Sequence, residues 1–160
     1  MRLTIAELRV GQGVFGISPC PGRAGFYAAD LIAIQHWQPA LVVSFLTAEE
    51  LSRTAPGLGA ELSQFGIQYA HLPTADYDTP SAGWAEISVR AHGELAKGHK
   101  ILLHCMGGCG RSGTAALRLM IEAGEAPESA LNRLRQARPC AVETPEQFLW
   151  ASQPSNQPSR

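Results

Sequence analysis

The segment ILLHCMGGCGRSGTAAL, residues 101–117, places a thiol, three glycines and a guanidinium within one short turn. Gly107, Gly108 and Gly110 lie between Cys105 and Arg111. Glycine permits positive backbone dihedrals, so successive amide N–H groups can turn inward and form a concave anion nest backed by a helix dipole. A hole the size of a phosphate is the natural product. Arg111 at the start of the following helix is unfavourable unless an anion lies nearby, and its planar fork suits two phosphate oxygens. Cys105 occupies the opposite lip, where the amides, the dipole and Arg111 all favour thiolate over thiol. A thiolate beneath a bound phosphorus is an in-line nucleophile. The turn is not a nucleotide-binding loop of the GK[ST] type, because no such triplet follows it.

Neighbouring residues extend the constellation. Met106, Gly107, Gly108, Cys109, Gly110 and Arg111 form the expected phosphate loop. Ser112 brings a hydroxyl able to donate to the sulfur and stabilise it as a leaving group, or to cap a helix. His104 either orients the loop through ring hydrogen bonds or is a satisfied core histidine, and these overlap.

Such a loop needs a strand before it and a helix after it. Apolar runs suited to buried strands occur at Leu41–Phe45 and Ile101–Leu103, with weaker ones at Val14–Ser18 and Ile67–Leu72. Their continuous apolarity predicts a sheet covered on both faces. Helices are predicted from Phe26 to Gln35, from Thr47 with a Glu50 capping box, and after Pro80, where Trp84, Ile87, Ala91 and Leu95 share one stripe. Further helices follow Arg111, where ALRLMI is apolar nearly all round, and span Pro127–Ala137 and Pro145–Trp150. The economical architecture is α/β, a twisted, mostly parallel sheet flanked by helices, with ligands bound beyond the carboxyl ends of its strands.

A chain of 160 residues suits one domain, expected over 1–152, with a flexible polar tail over 153–160. A net charge of -1 gives no bulk attraction to nucleic acid or anionic lipid, so an anion site must be built locally. No stretch resembles a signal segment or a membrane span, which predicts a cytoplasmic protein. Its four cysteines form no C-x-x-C pair, which predicts free thiols and neither a disulfide scaffold nor a zinc ribbon. Cys20 and Cys140 are expected to be buried. The chemistry calls for no cofactor and no metal.

HCMGGCGRS resembles the H-C-x-x-G-x-x-R-[ST] signature of the protein tyrosine and dual-specificity phosphatases. Its G-G-x-G-R-S spelling is most like the kinase-associated phosphatase branch and small bacterial relatives. ISPCPGR with Asp30 resembles the N-terminal part of that branch, and LPTADYDTPS resembles the family's general-acid loop. The resemblance implies a cysteine-dependent phosphatase working through a phospho-cysteine intermediate on phosphoprotein, as a monomer. It puts Asp76 at the general-acid position, with Asp78 as competitor; locally, Asp78 or Thr79 is also placed to cap a helix opened by Pro80. In VETPEQFLW, Gln147 falls where relatives carry a water-positioning glutamine, while Thr144, Pro145 and Gln147 also make a capping box. Tyr77 is a candidate pocket wall.

Cys109 departs from the family, whose members carry an aliphatic or basic residue there. It is either a small apolar substitute or a thiol that captures oxidised Cys105, a part open to Cys20 or Cys140 as well. Two rival functions share the loop: a rhodanese-type sulfurtransferase, disfavoured by the Arg111-Ser112 ending, and a phosphate-binding pseudophosphatase, disfavoured by the retained Cys105, Arg111 and acid.

Overall fold

The computed structural model describes residues 3–153, so all of the expected polar tail beyond Gln153 lies outside the described residues. Five strands form one sheet in the order β1-β2-β5-β3-β4. These are β1 (Ala6–Val10), β2 (Gly13–Ser18), β3 (Leu41–Ser44), β4 (Gln68–His71) and β5 (Lys100–His104). β1 is antiparallel to β2, and the remaining pairs are parallel. The α/β expectation therefore holds.

The pleat sorts the core into two layers. In β5, Ile101 and Leu103 face one cluster while Leu102 joins the other; β3 does the same with Leu41 and Val43 against Val42. Helices α1 (Tyr27–Trp37), α2 (Ala48–Thr54) and α3 (Leu58–Gln64) supply the second layer. The first is covered by α4 (Trp84–Ala96), α5 (Gly110–Glu122), α6 (Pro127–Ala137) and α7 (Pro145–Ser152).

Two elements were not expected, and one start is corrected. β1 alternates Ala6, Leu8 and Val10 with Glu7 and Arg9, a half-buried edge pattern without a continuous apolar run. α3 is seven residues long and opens beside Gly57 without a side-chain cap, so it carries little local signal. α4 starts at Trp84, not directly after Pro80, because Gly83 takes a left-handed conformation at its N-cap. Asp78 and Thr79 consequently do not cap it.

The central helix α5 is buried from Gly110 to Met120, and that stretch includes two charges, Arg111 at its start and Arg118 two turns further on. Arg118 lies 4.4 Å over the Trp150 ring, donates to the Trp150 carbonyl at 2.9 Å and pairs with Glu122 at 2.9 Å. Glu122 also accepts from Trp84 Nε1, Ser88 Oγ and His92 Nε2 at 2.7–3.0 Å, joining α4, α5 and α7. Burial alone would raise its pKa, but hydrogen bonds from His92, Trp84, Ser88 and Arg118 prevail and hold it at about 2. A depressed carboxyl stabilises the fold above its ordinary value of 4.5, and that contribution is lost as pH falls toward 2. Glu122→Gln should cost about 2–3 kcal/mol at neutral pH. Thermal melts should show the gap between wild type and variant closing between pH 4.5 and 2; a constant gap would refute the linkage.

Candidate active site

β5 delivers the chain to the carboxyl edge of the sheet and α5 carries it away; residues 105–109 form the loop between them. Cys105 is the first residue past the strand and is 3% exposed. Its Sγ lies 3.1 Å from Ser112 Oγ, the contact expected for a hydroxyl serving the sulfur. Cys105 faces a cavity of about 260 Å³ whose walls include Met106, Gly107, Cys109, Gly110 and Arg111, with Arg23, Asp76, Tyr77 and Glu143 completing the lining, while Ser112 lies behind the sulfur and is fully buried.

The loop's carbonyls reveal the direction of its amides. Met106 O accepts from Cys20 N at 3.0 Å, while Gly107 O and Gly108 O each accept from the Arg138 guanidinium at 2.8 Å. The described residues contain no cis peptide. In a trans peptide the N–H points opposite to the carbonyl, so the amides of Gly107, Gly108 and Cys109 point away from these partners. An inward nest is the result. Gly108 has φ +73, and a Cβ there would lie 2.7 Å from the backbone of Ser18, so only glycine lets the loop rest on the end of β2. Arg138 had no signal in the sequence beyond an arginine near a helix end.

Arg111 is buried, with its side chain 2% exposed. Its Nη1 donates to Glu50 Oε1 at 2.7 Å and to the Thr74 carbonyl at 2.9 Å, and Nη2 donates to Glu50 Oε2 at 3.2 Å. The bidentate bond from Arg111 is the foremost cause holding the Glu50 carboxyl at about 2, well below the usual range. Glu50 was read only as half of a capping box. That box is present, and the same carboxylate also orients Arg111.

His104 is fully buried and sits in a relay. Tyr69 donates to Ser44 Oγ at 2.9 Å, and Ser44 Oγ contacts His104 Nε2. With Ser44 Oγ already accepting, its proton goes to Nε2, leaving the proton on Nδ1 to face the Cys105 carbonyl at 3.4 Å. Burial drives the imidazole pKa down to about 4, so the ring is neutral near pH 7. The orienting and core roles coincide, as the sequence left open.

Asp76 is exposed and lies 3.8 Å from Arg111 Nη2, whereas Asp78 does not line the cavity. Each carboxylate accepts from the next backbone N–H, Tyr77 N at 3.0 Å and Thr79 N at 2.8 Å. Tyr77 is 61% exposed, has φ +65 and stands in the cavity wall. Gln147 is buried and both ends of its amide are committed. Oε1 accepts from Glu143 N and Thr144 N, completing the capping box, and Nε2 donates to the Asp78 carbonyl at 3.0 Å. It thus ties the segment that carries Asp76 and Asp78 to α7.

The cysteines require correction. Cys109 and Cys140 form a disulfide with their α-carbons 5.1 Å apart, so neither is a free thiol, and Cys140 is exposed instead of buried. The 31-residue separation gave no sequence signal. Cys109 accordingly faces Cys140 and not Cys105. Cys20 and Cys105 are free and buried. Burial, with the nearby Cys105 and Glu50, pushes the Cys20 thiol up to about 12, which makes it a poor nucleophile at neutral pH.

The sheet order and the strand–cysteine–loop–arginine–helix unit define the class of cysteine-centred α/β phosphatase folds. Within it the chain belongs to the dual-specificity protein tyrosine phosphatase family, since the family model described as "Polymorphic toxin system, DSP-PTPase phosphatase" matches residues 40–125. Cyclin-dependent kinase inhibitor 3 of Mus musculus is 38% identical over 114 residues, covering 68% of this chain and 54% of that protein. The Homo sapiens protein of the same name is 37% identical over 111 residues, covering 66% and 52%. The chain spans about half the length of these curated relatives. A crystal structure of kinase associated phosphatase, with a serine substituted for its catalytic-site cysteine, superposes with TM-score 0.87 at 27% identity, over 96% of this chain and 94% of that one. Tk-PTP in its active form gives TM-score 0.69 at 31% identity, over 84% and 86%.

Proposed function

We propose that this protein is a cysteine-dependent phosphatase that hydrolyses phosphate monoesters on proteins, phosphotyrosine and also phosphoserine or phosphothreonine. The observation that carries it is Cys105 Sγ at the base of a cavity lined by amide-rich loop backbone and a fixed Arg111 fork. In this reading the phosphate lies in the loop and the Cys105 thiolate attacks phosphorus in line. The S–P bond forms as the ester P–O bond breaks, and Asp76 gives its proton to the departing oxygen. Water then attacks the phospho-cysteine, Asp76 takes a water proton, and Ser112 donates to the leaving sulfur. Gln147 serves by holding the acid loop; positioning water would require its release from the Asp78 carbonyl.

A phosphorylated kinase is the substrate suggested by the name of kinase associated phosphatase. Tyr77 gives the mouth an aromatic wall suited to an aryl ester. Assay of the purified protein on phosphotyrosine and phosphothreonine peptides and on a phosphoinositide tests the reading, which fails if only the lipid turns over. The acid is tested separately. Asp76→Asn should lower kcat roughly 10²-fold, with the larger loss on an alkyl than on an aryl phosphate. Asp78→Asn should leave kcat close to wild type because its side chain only closes a local turn. The reverse ranking would move the role to Asp78.

A further inference from the structure

We propose that the Cys109–Cys140 bridge is a redox modification site that sets the anion affinity of the phosphate loop, with a dithiol as its reductant. The inference rests on reading residues 105–111 as that loop. The segment 138–142 lies behind the loop as a strap and grips three consecutive residues of it. Arg138 binds the carbonyls of Gly107 and Gly108, Val142 N donates to Cys109 O at 3.2 Å, and Cys140 is bonded to Cys109 itself. These contacts turn the carbonyls outward and hence the amides inward. The bridge is the covalent member of the set, and it ends on a residue that lines the cavity.

Access and leaving-group chemistry both favour reduction at this pair. Cys140 is exposed and Cys109 half-buried, so an incoming thiolate meets the Cys140 sulfur first. Attack forms a mixed disulfide at Cys140 and expels Cys109 as thiolate. Cys109 is the N-cap of α5, where the helix dipole stabilises negative charge and speeds departure. The second thiol of the reductant then closes on the first, releasing Cys140. Two electrons and two protons pass to the protein and the dithiol becomes a cyclic disulfide. Reduction has two effects at the loop. The strap keeps only Arg138 and a backbone hydrogen bond, so the amides are less fixed, and a thiol able to ionise now stands in the wall of an anion site.

The nucleophile is also reductant-sensitive, so the test removes it. Cys105→Ser protein, purified without reductant, is titrated with tungstate by calorimetry before and after dithiothreitol, with thiols counted by mass spectrometry. Reduction should free Cys109 and Cys140 and weaken tungstate binding about threefold to tenfold, as expected for loosening one or two ordered groups. Cys105→Ser/Cys140→Ser should bind with the weaker affinity in both conditions. Equal affinity in the bridged and reduced states overturns the inference, even if the melting temperature drops, because the bridge is then only a staple of the fold. Free thiols at both positions before reduction overturn it too. Absence of tungstate binding in every state overturns the phosphate-loop reading itself, and the inference with it.

Discussion

Cys105→Ser should lower turnover by roughly 10⁴-fold or more while leaving the fold and oxyanion binding in place. A hydroxyl can keep the 3.1 Å contact with Ser112 that the sulfur makes, and it fills the same 3%-exposed position, so packing has little to lose. A neutral alcohol is nevertheless a far weaker nucleophile than a thiolate, since its proton is not removed near pH 7. Steady-state kinetics on an aryl phosphate, alongside tungstate titration and a thermal melt, provide the check. Residual activity within tenfold of wild type would eliminate Cys105 as nucleophile.

Arg111→Lys should lower kcat/KM by roughly 10²–10³-fold. The native guanidinium spends Nη1 on both Glu50 Oε1 and the Thr74 carbonyl and Nη2 on Glu50 Oε2, which fixes its plane. A lysine ammonium has no plane to fix and cannot span two phosphate oxygens as a fork. It would also leave one Glu50 oxygen short of a partner. The signature is a loss in both kcat and oxyanion affinity, measured by kinetics and tungstate titration; a variant with near wild-type values would exclude Arg111 as the clamp. Glu50→Gln should show a milder form of the same loss, with KM rising more than kcat falls, because the fork remains and only its aim is relaxed.

The loop was legible in the sequence because its chemistry is local: Cys105, the glycines, Arg111 and Ser112 lie within eight consecutive residues, and a strand and a helix flank them. The central strands β3 and β5 were legible for a similar reason, being largely continuous apolar runs, whereas β4, QYAH, gave a weaker signal. Whatever reaches the loop from elsewhere in the chain was not. Glu50 and Thr74 meet Arg111 across 61 and 37 residues, and Arg138 and Cys140 meet the loop across 30 to 31 residues. Glu50 had a complete local explanation as a capping residue, which concealed its second partner. Pro80 misled in the other direction: a proline suits the first turn of a helix, but Gly83 sets the actual start.

The double duty of Glu50 makes a short helix the timekeeper of the site. α2 has seven residues, none fully buried, and a helix of that length does not persist alone in water. Its capping box and the partly buried Leu51 hold it, together with the ion pair to Arg111. When α2 frays, Glu50 leaves and the guanidinium loses its orientation; when an anion restrains Arg111, the helix gains a fixed anchor. Occupancy of the cavity should therefore slow hydrogen exchange in the amides of α2, none of whose residues lines the cavity, and a substitution at Thr47, also outside the lining, should quicken exchange and weaken anion binding together.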